Sequence, residues 1–209
     1  EYRRQRQMCI RDSGNIMSTR KENANIPMSI VAAPHTWGTN TEDVLDMLPT
    51  PEDKFEVILL ADCIWERFSH DGLLKSVTTS LKRSPSSRIY MVAGMHTGRS
   101  TLVQFLRRVL DAGLRIIAVP DAAQWPGCIE ERDEMDDSSK ILPGADHILE
   151  LEVAGTLAEN SLEQDIVSLP YLTGRRRPFV LSRPGIDSDE EPVQERNRWL
   201  TVSCFAWAM

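Results

Sequence analysis

Three short stretches combine residue types that chemistry uses: His35-Thr36-Trp37-Gly38, Ala61-Asp62-Cys63-Ile64-Trp65 and Met95-His96-Thr97-Gly98-Arg99. Each follows an apolar, β-rich run, so each is expected just past the end of a strand. Gly38, Gly94 and Gly98 let the backbone turn sharply and come close to a ligand. Asp62 closes an apolar run, where a carboxylate is costly to bury unless paired; it reads either as a functional group or as a helix N-cap. Trp37 reads as a ligand contact or as core packing, and Trp65 as the wall of a substrate pocket or a lid on the core. His96 and Arg99 read first as helix-start and surface residues, and His70 as the opening of a helix. The four histidines and four cysteines form no cluster with metal-ligand spacing, so no metal is expected.

The elements that must position these residues follow from periodicity. Ile30 to Ala33 is a short β-rich run ending at Pro34. Thr41 to Leu48 predicts a short helix capped by Asn40 or Thr41. The run FEVILL from Phe55 to Leu60 is nearly all apolar, which predicts a strand buried on both faces. His70 to Lys82 sets Leu73, Leu74, Val77 and Leu81 at helical spacing, and Ser84-Pro85-Ser86-Ser87 breaks it. Arg88 to Gly94 is a second buried-type strand. Ser100 to Ala112 is an amphipathic helix closed by Gly113, and Leu114 to Val119 a third strand. Alternation of strand and helix predicts an α/β fold with a doubly wound, mostly parallel sheet. In such sheets ligands bind at the carboxyl ends of the strands.

The remainder is less regular, and 120–195 is expected to be irregular and insertion-rich. Glu130 to Asp137 reads as a solvated acidic loop, or as a guide for a basic protein substrate. His147 to Val153 is a possible strand. Asp165 to Asp189, with Pro170, Pro178, Pro184 and Arg175-Arg176-Arg177, reads as a loop or insertion. Trp199 to Trp207 is a final strand.

Composition bounds the function. With 24 Lys+Arg against 31 Asp+Glu the net charge is −7, which excludes a general phosphate-binding surface and hence nucleic acid as the main partner. No apolar run approaches the roughly 20 residues of a membrane helix. Cys9, Cys63, Cys128 and Cys204 lack paired spacing, so neither a disulfide framework nor a structural zinc is expected, and a reducing, cytoplasmic setting is. Gln7-Met8-Cys9-Ile10-Arg11-Asp12-Ser13 is a translation of CAG-ATG-TGT-ATA-AGA-GAC-AGC, the end of a transposase adapter used in preparing sequencing libraries. Residues 1–13 are therefore read as an assembly scar rather than a natural basic tail, and 14–209 as a partial domain.

HTWG at 35–38, FEVILLADCIW at 55–65, the helix from His70, VAGMHTGR at 92–99 and ERNRWLTVSCFAW at 195–207 together resemble the seven-strand S-adenosylmethionine-dependent methyltransferases. The match is best in the fungal nicotinamide N-methyltransferase-like group, which includes the protein N-terminal and lysine methyltransferase acting on elongation factor 1-alpha. The resemblance implies a Rossmann-like fold with an antiparallel last strand. It implies methyl transfer from S-adenosyl-L-methionine to a protein amino group, on a lysine or an N-terminus, by a monomer with neither nucleic acid nor membrane as partner. Nicotinamide as a small-molecule acceptor, and a catalytically dead fragment, are the alternatives. Carried onto this chain, Trp37, Gly38 and Ala61 fall at the cofactor, and Asp62 and Trp65 at the transferring methyl group and the acceptor nitrogen. The family's acidic glycine-rich loop has no counterpart before His35, so the first strand–helix unit is expected to be missing, with Asn15 to Asn25 as the remains of the following helix.

Overall fold

The computed structural model describes residues 33–50, 53–125, 128–129, 137–154, 171–181 and 192–209. The expected helix remnant at Asn15 to Asn25, the residues Ile30 to Ala32 and the acidic loop before Asp137 lie outside the described residues. By its contacts the chain divides into two compact units, Glu1–Phe55 with Asp71–Lys82 and Glu56–His70 with Arg83–Met209.

In the first unit the short helix α1 spans Glu42–Leu45, and the Oδ1 of Asn40 accepts the N–H of Glu42 at 3.1 Å. Most of helix α2, His70–Ser80, also belongs here. Leu73, Leu74, Val77 and Leu81, the residues its spacing singles out, are all buried. The N–H of Phe55 donates to Ser80 O at 2.9 Å, and Phe55 O accepts from Lys82 at 2.8 Å, so the end of α2 is tied to the residue that precedes the sheet.

The second unit is built on a seven-stranded sheet of order β1-β2-β7-β5-β6-β4, with β3 also paired to β7. Its strands are β1 Val57–Ala61, β2 Arg88–Gly94, β3 Leu114–Ile117, β4 Cys128–Ile129, β5 Leu149–Ala154, β6 Tyr171–Pro178 and β7 Trp199–Trp207. Helix α3, Arg99–Asp111, follows β2, and the short helices α4 Ser138–Ile141 and α5 Val193–Arg196 precede β5 and β7. The α/β reading of the sequence therefore stands, but the sheet is mixed rather than mostly parallel. Among the described strands only β1/β2 and β4/β6 run parallel, while β7 is antiparallel to β2, β3 and β5, and β5 to β6. The nine residues of β7 are long enough to hold β2 along one edge and β3 then β5 along the other. That makes β7 the organising strand, and the antiparallel last strand expected of this sequence is present.

Two further expectations need correction. The stretch read as a loop or insertion contains β6, whose register places Arg177 opposite Glu150 and Arg176 opposite Leu151. Pro178 is tolerated because it ends the strand. Strand β1 forms, but it is not buried on both faces: Leu60 is 6 % exposed, whereas Val57 and Leu59 are 51 % and 73 % exposed. β1 is the terminal strand of the described sheet, so a continuous apolar run here reflects a face left open rather than a double-sided core.

Helix α3 ends where the sequence says it should. Gly113 takes φ +80° and its N–H returns to Leu110 O at 3.0 Å, a stop that a residue with Cβ reaches only at a cost. Of the apolar residues that the spacing of α3 singles out, Leu102, Leu106 and Val109 are buried together with Phe105, while Val103 and Leu110 are half-buried. On one face of the sheet Val119, Leu151, Val202 and Cys204 form a buried cluster with Tyr90, Ile117 and Trp125 against it.

The opposite side of β5 carries two buried carboxylates, Glu150 and Glu152. Glu150 is fully buried and bonds both the Arg99 Nη1 and, at 2.5 Å, the Arg177 Nε. The guanidinium of Arg177 lies 3.7 Å from the Trp199 ring centroid. Glu152 receives Thr173 Oγ1 at 2.7 Å, Arg198 Nη2 at 2.5 Å and Arg175 Nη1 at 3.2 Å. Arg99, read from sequence as a surface residue, is 1 % exposed and also donates to Val180 O at 3.0 Å.

Candidate functional site

The carboxyl ends of the parallel strands β1 and β2 lie side by side, with Ala61 opposite Val92. Beyond Ala61 the chain turns through Asp62 at φ +51°, the left-handed region. For a residue with a Cβ that conformation costs on the order of 1 kcal/mol, less for Asp than for most. Its N–H donates to Val92 O at 2.8 Å, and its Oδ1 accepts the N–H of Gly94 at 3.2 Å. The strained turn is thereby stitched to the end of the neighbouring strand. Asp62 caps no helix, because the next helical turn, Arg67–Ser69, has Glu66 at its N-cap position.

The same carboxylate meets a second side chain. His96 Nε2 lies 3.1 and 3.2 Å from the two Asp62 oxygens. The imidazole rests against Gly94, where a Cβ would stand 2.2 Å from His96 Cε1. Gly94 is therefore the residue that leaves room for the ring. Cys63 is next to the pair; burial pushes its thiol up from the ordinary value, its bond to Ala61 O opposes this, and the Asp62 charge adds to it. Cys63 accordingly stays a neutral thiol near pH 7.

The loop that follows is held from below. Ile64 is buried, and its carbonyl accepts from His70 Nε2 at 2.9 Å. His70 packs edge-on against Phe105, with ring centroids 5.1 Å apart. Arg67 Nε and Nη2 reach Thr101 and Ser100 at the start of α3, both at 2.9 Å. Between these anchors Trp65 is 40 % exposed, so it is not a lid buried in the core. Ala61 is exposed as well.

Trp37 and Gly38 belong to the first unit. Trp37 is half-buried. Gly38 has φ +85°, and a Cβ there would stand 2.9 Å from Gly72 Cα. Backbone-to-backbone contact with α2 therefore already demands glycine at 38. The N–H of Gly38 and the Nε2 of His35 both meet Ser76 Oγ at 2.8 Å. Burial holds the His35 imidazole below its usual value, partly offset by the Asp43 carboxylate.

Of the residues named from sequence, Ala61, Asp62 and Trp65 thus share one strand end and its loop. The partner that sequence reasoning passed over is His96. Its available signal was a histidine two residues beyond a strand-ending glycine, on the strand parallel to the one ending in Asp62. A separate cavity of about 430 Å³ lies beside Trp125, Leu151, Leu172 and Arg176 and contains none of Trp37, Gly38, Ala61, Asp62 and Trp65. Among the described residues no group of three His, Cys, Asp or Glu is placed to hold a metal ion. No helix among them is long and apolar enough to cross a membrane.

Comparison with known proteins relates the chain distantly to methyltransferases. The relative found is the protein N-terminal and lysine N-methyltransferase efm7 of Schizosaccharomyces pombe, 25 % identical over 83 residues, which is 39 % of this chain and 32 % of that protein. The match therefore spans about a third of the length of this curated relative. No family model and no solved structure matches.

Proposed function

We propose that this chain is part of an S-adenosylmethionine-dependent N-methyltransferase acting on a protein amino group, a lysine or an N-terminus. The observation that carries the reading is the exposed Asp62 carboxylate, held in a left-handed turn at the end of β1 by Gly94 and His96. Strain fixed by surrounding bonds at a strand end is characteristic of functional positions. The distant relative named above is in keeping with it.

The donor set suits a cation. A carboxylate and a partly exposed indole flank the strand end, and both favour positive charge or an amine over an anion. When bound, S-adenosyl-L-methionine supplies an electrophilic methyl group on a positively charged sulfur. Trp37, Gly38 and Ala61 are the proposed donor contacts. Asp62 orients the acceptor nitrogen through the His96 ring that it holds, and the face of Trp65 favours the charge that develops there. Holding a neutral amine in line supplies much of the rate in such a reaction.

The test incubates the chain with isotope-labelled donor and either a protein acceptor or free nicotinamide, and follows product mass. Label on protein supports the proposal, and label on nicotinamide alone replaces it with the small-molecule reading. Asp62→Ala and Trp37→Ala are expected to lower transfer by roughly a hundredfold; wild-type turnover in both removes them from the site.

A second reading, a non-catalytic fragment, is favoured by one observation. The terminal strand β1 exposes Val57 and Leu59 beside Val92, which is 38 % exposed. An apolar strand at a sheet edge promotes association. Aggregation without a cooperative melt supports that reading, and a soluble chain that melts cooperatively opposes it.

A further inference from the structure

We propose that His96 is the base that takes the proton from the acceptor's ammonium group, and that Asp62 fixes its tautomer. The assignment rests on the methyl-transfer reading above. An amine attacks only through its lone pair, yet α-amino groups and lysines, with ordinary values of about 7.7–8.0 and 10.4, are mostly protonated near pH 7. Some group must accept that proton. Histidine is the side chain best suited to exchange one near neutrality.

The geometry assigns the two ring nitrogens different jobs. Both Asp62 oxygens face His96 Nε2, at 3.2 and 3.1 Å. A carboxylate can only accept, so Nε2 carries the hydrogen and Nδ1 of the neutral ring carries the lone pair. In the step, the ammonium N–H bond breaks, its electron pair stays on the amine nitrogen, and the proton forms a new bond to Nδ1. The resulting imidazolium is stabilised by the Asp62 carboxylate already in contact with it. The His96 and Asp62 side chains are 48 % and 55 % exposed, so an acceptor can reach the pair and solvent can later remove the proton. The other groups nearby do not compete. Cys63 is held as a neutral thiol, and Arg99, three residues on, is turned inward to Glu150 and Val180 O. Gly94 makes the arrangement possible, because any side chain there would displace the ring.

The tautomer is read directly from ¹⁵N shifts of the histidine rings in the full chain, without donor or acceptor present. Wild type is expected to show His96 as the Nε2–H tautomer, and Asp62→Asn to lose that preference. A wild-type His96 in the Nδ1–H form overturns the proposal. The kinetic readout is the pH profile of transfer to a peptide bearing a free amino group. His96→Gln should lose roughly a hundredfold or more at pH 7 and recover as the pH approaches the acceptor's own value. A merely structural His96 would lower the rate equally at every pH. If wild type transfers methyl groups and His96→Gln matches it at pH 7, the base assignment falls while the methyltransferase reading stands. If wild type transfers to no amine although its Nε2–H tautomer is intact, the functional reading falls and the base with it.

Discussion

Replacing Glu150 by Gln isolates the charge at the centre of the buried network on β5. The carboxylate is 0 % exposed and bonds Arg99 and Arg177, whose side chains are 2 % and 7 % exposed. Gln keeps the shape but removes the negative charge, so two guanidinium ions face each other in a site that water does not reach. Removing one member of a buried ion pair costs about 3–5 kcal/mol. That is a large share of a typical total stability of about 5–15 kcal/mol. With a urea m-value of about 2–3 kcal/mol/M for a chain of this size, the midpoint should fall by roughly 1–2.5 M. The assay is urea unfolding followed by tryptophan fluorescence, to which Trp199 reports directly because Arg177 lies 3.7 Å from its ring centroid. A midpoint within about 0.3 M of wild type refutes the reasoning, since it means that the two cations are neutralised without Glu150. The companion variant Arg99→Met/Glu150→Leu/Arg177→Met should restore most of the loss, because an apolar cluster of similar volume needs no compensating charge.

Other perturbations probe the remaining ends of the structure. Glu152 sits below the ordinary value of 4.5 because Thr173 donates to it, with Arg175 and Arg198 adding to the effect against the cost of burial. Its contribution to stability is therefore full above pH 4.5 and is lost as pH falls through the lowered value; Glu152→Gln should flatten this acid limb in thermal melts. His35 also lies below its ordinary 6.5, chiefly through burial, so the folded state prefers the neutral ring. Stability from this site is present above 6.5 and lost on acidification; a His35→Gln variant with the wild-type slope between roughly pH 7 and 5 would refute this. Gly38→Ala forces a Cβ to 2.9 Å from Gly72 Cα at φ +85°, and should cost about 1–2 kcal/mol or more, lowering Tm by at least roughly 2–8 °C.

The sequence by itself determined the elements whose signals are local. Arg88–Gly94 and Trp199–Trp207 are continuous β-rich runs, and Arg99–Asp111 is an apolar stripe closed by Gly113; all three form where the pattern puts them, within a residue. The stretches at 61–65 and 95–99 were equally legible as places where the chain leaves a sheet, because glycine and acidic residues directly after apolar runs mark such ends. Tertiary structure decided everything that depends on a partner far along the chain. Arg175-Arg176-Arg177 between prolines resembles a solvated loop, and becomes a strand because Glu150 and Glu152 on β5 neutralise Arg177 and Arg175 from across the ladder. Arg99 is buried for the same reason. Val57 and Leu59 carry the pattern of a buried strand, but burial is a property of neighbours, and β1 stands at the end of the described sheet. The link between Asp62 and His96 crosses 34 positions of sequence and exists only because β1 and β2 run parallel in register. Periodicity reports which face a residue prefers; only the pairing of strands reports which charge it meets there.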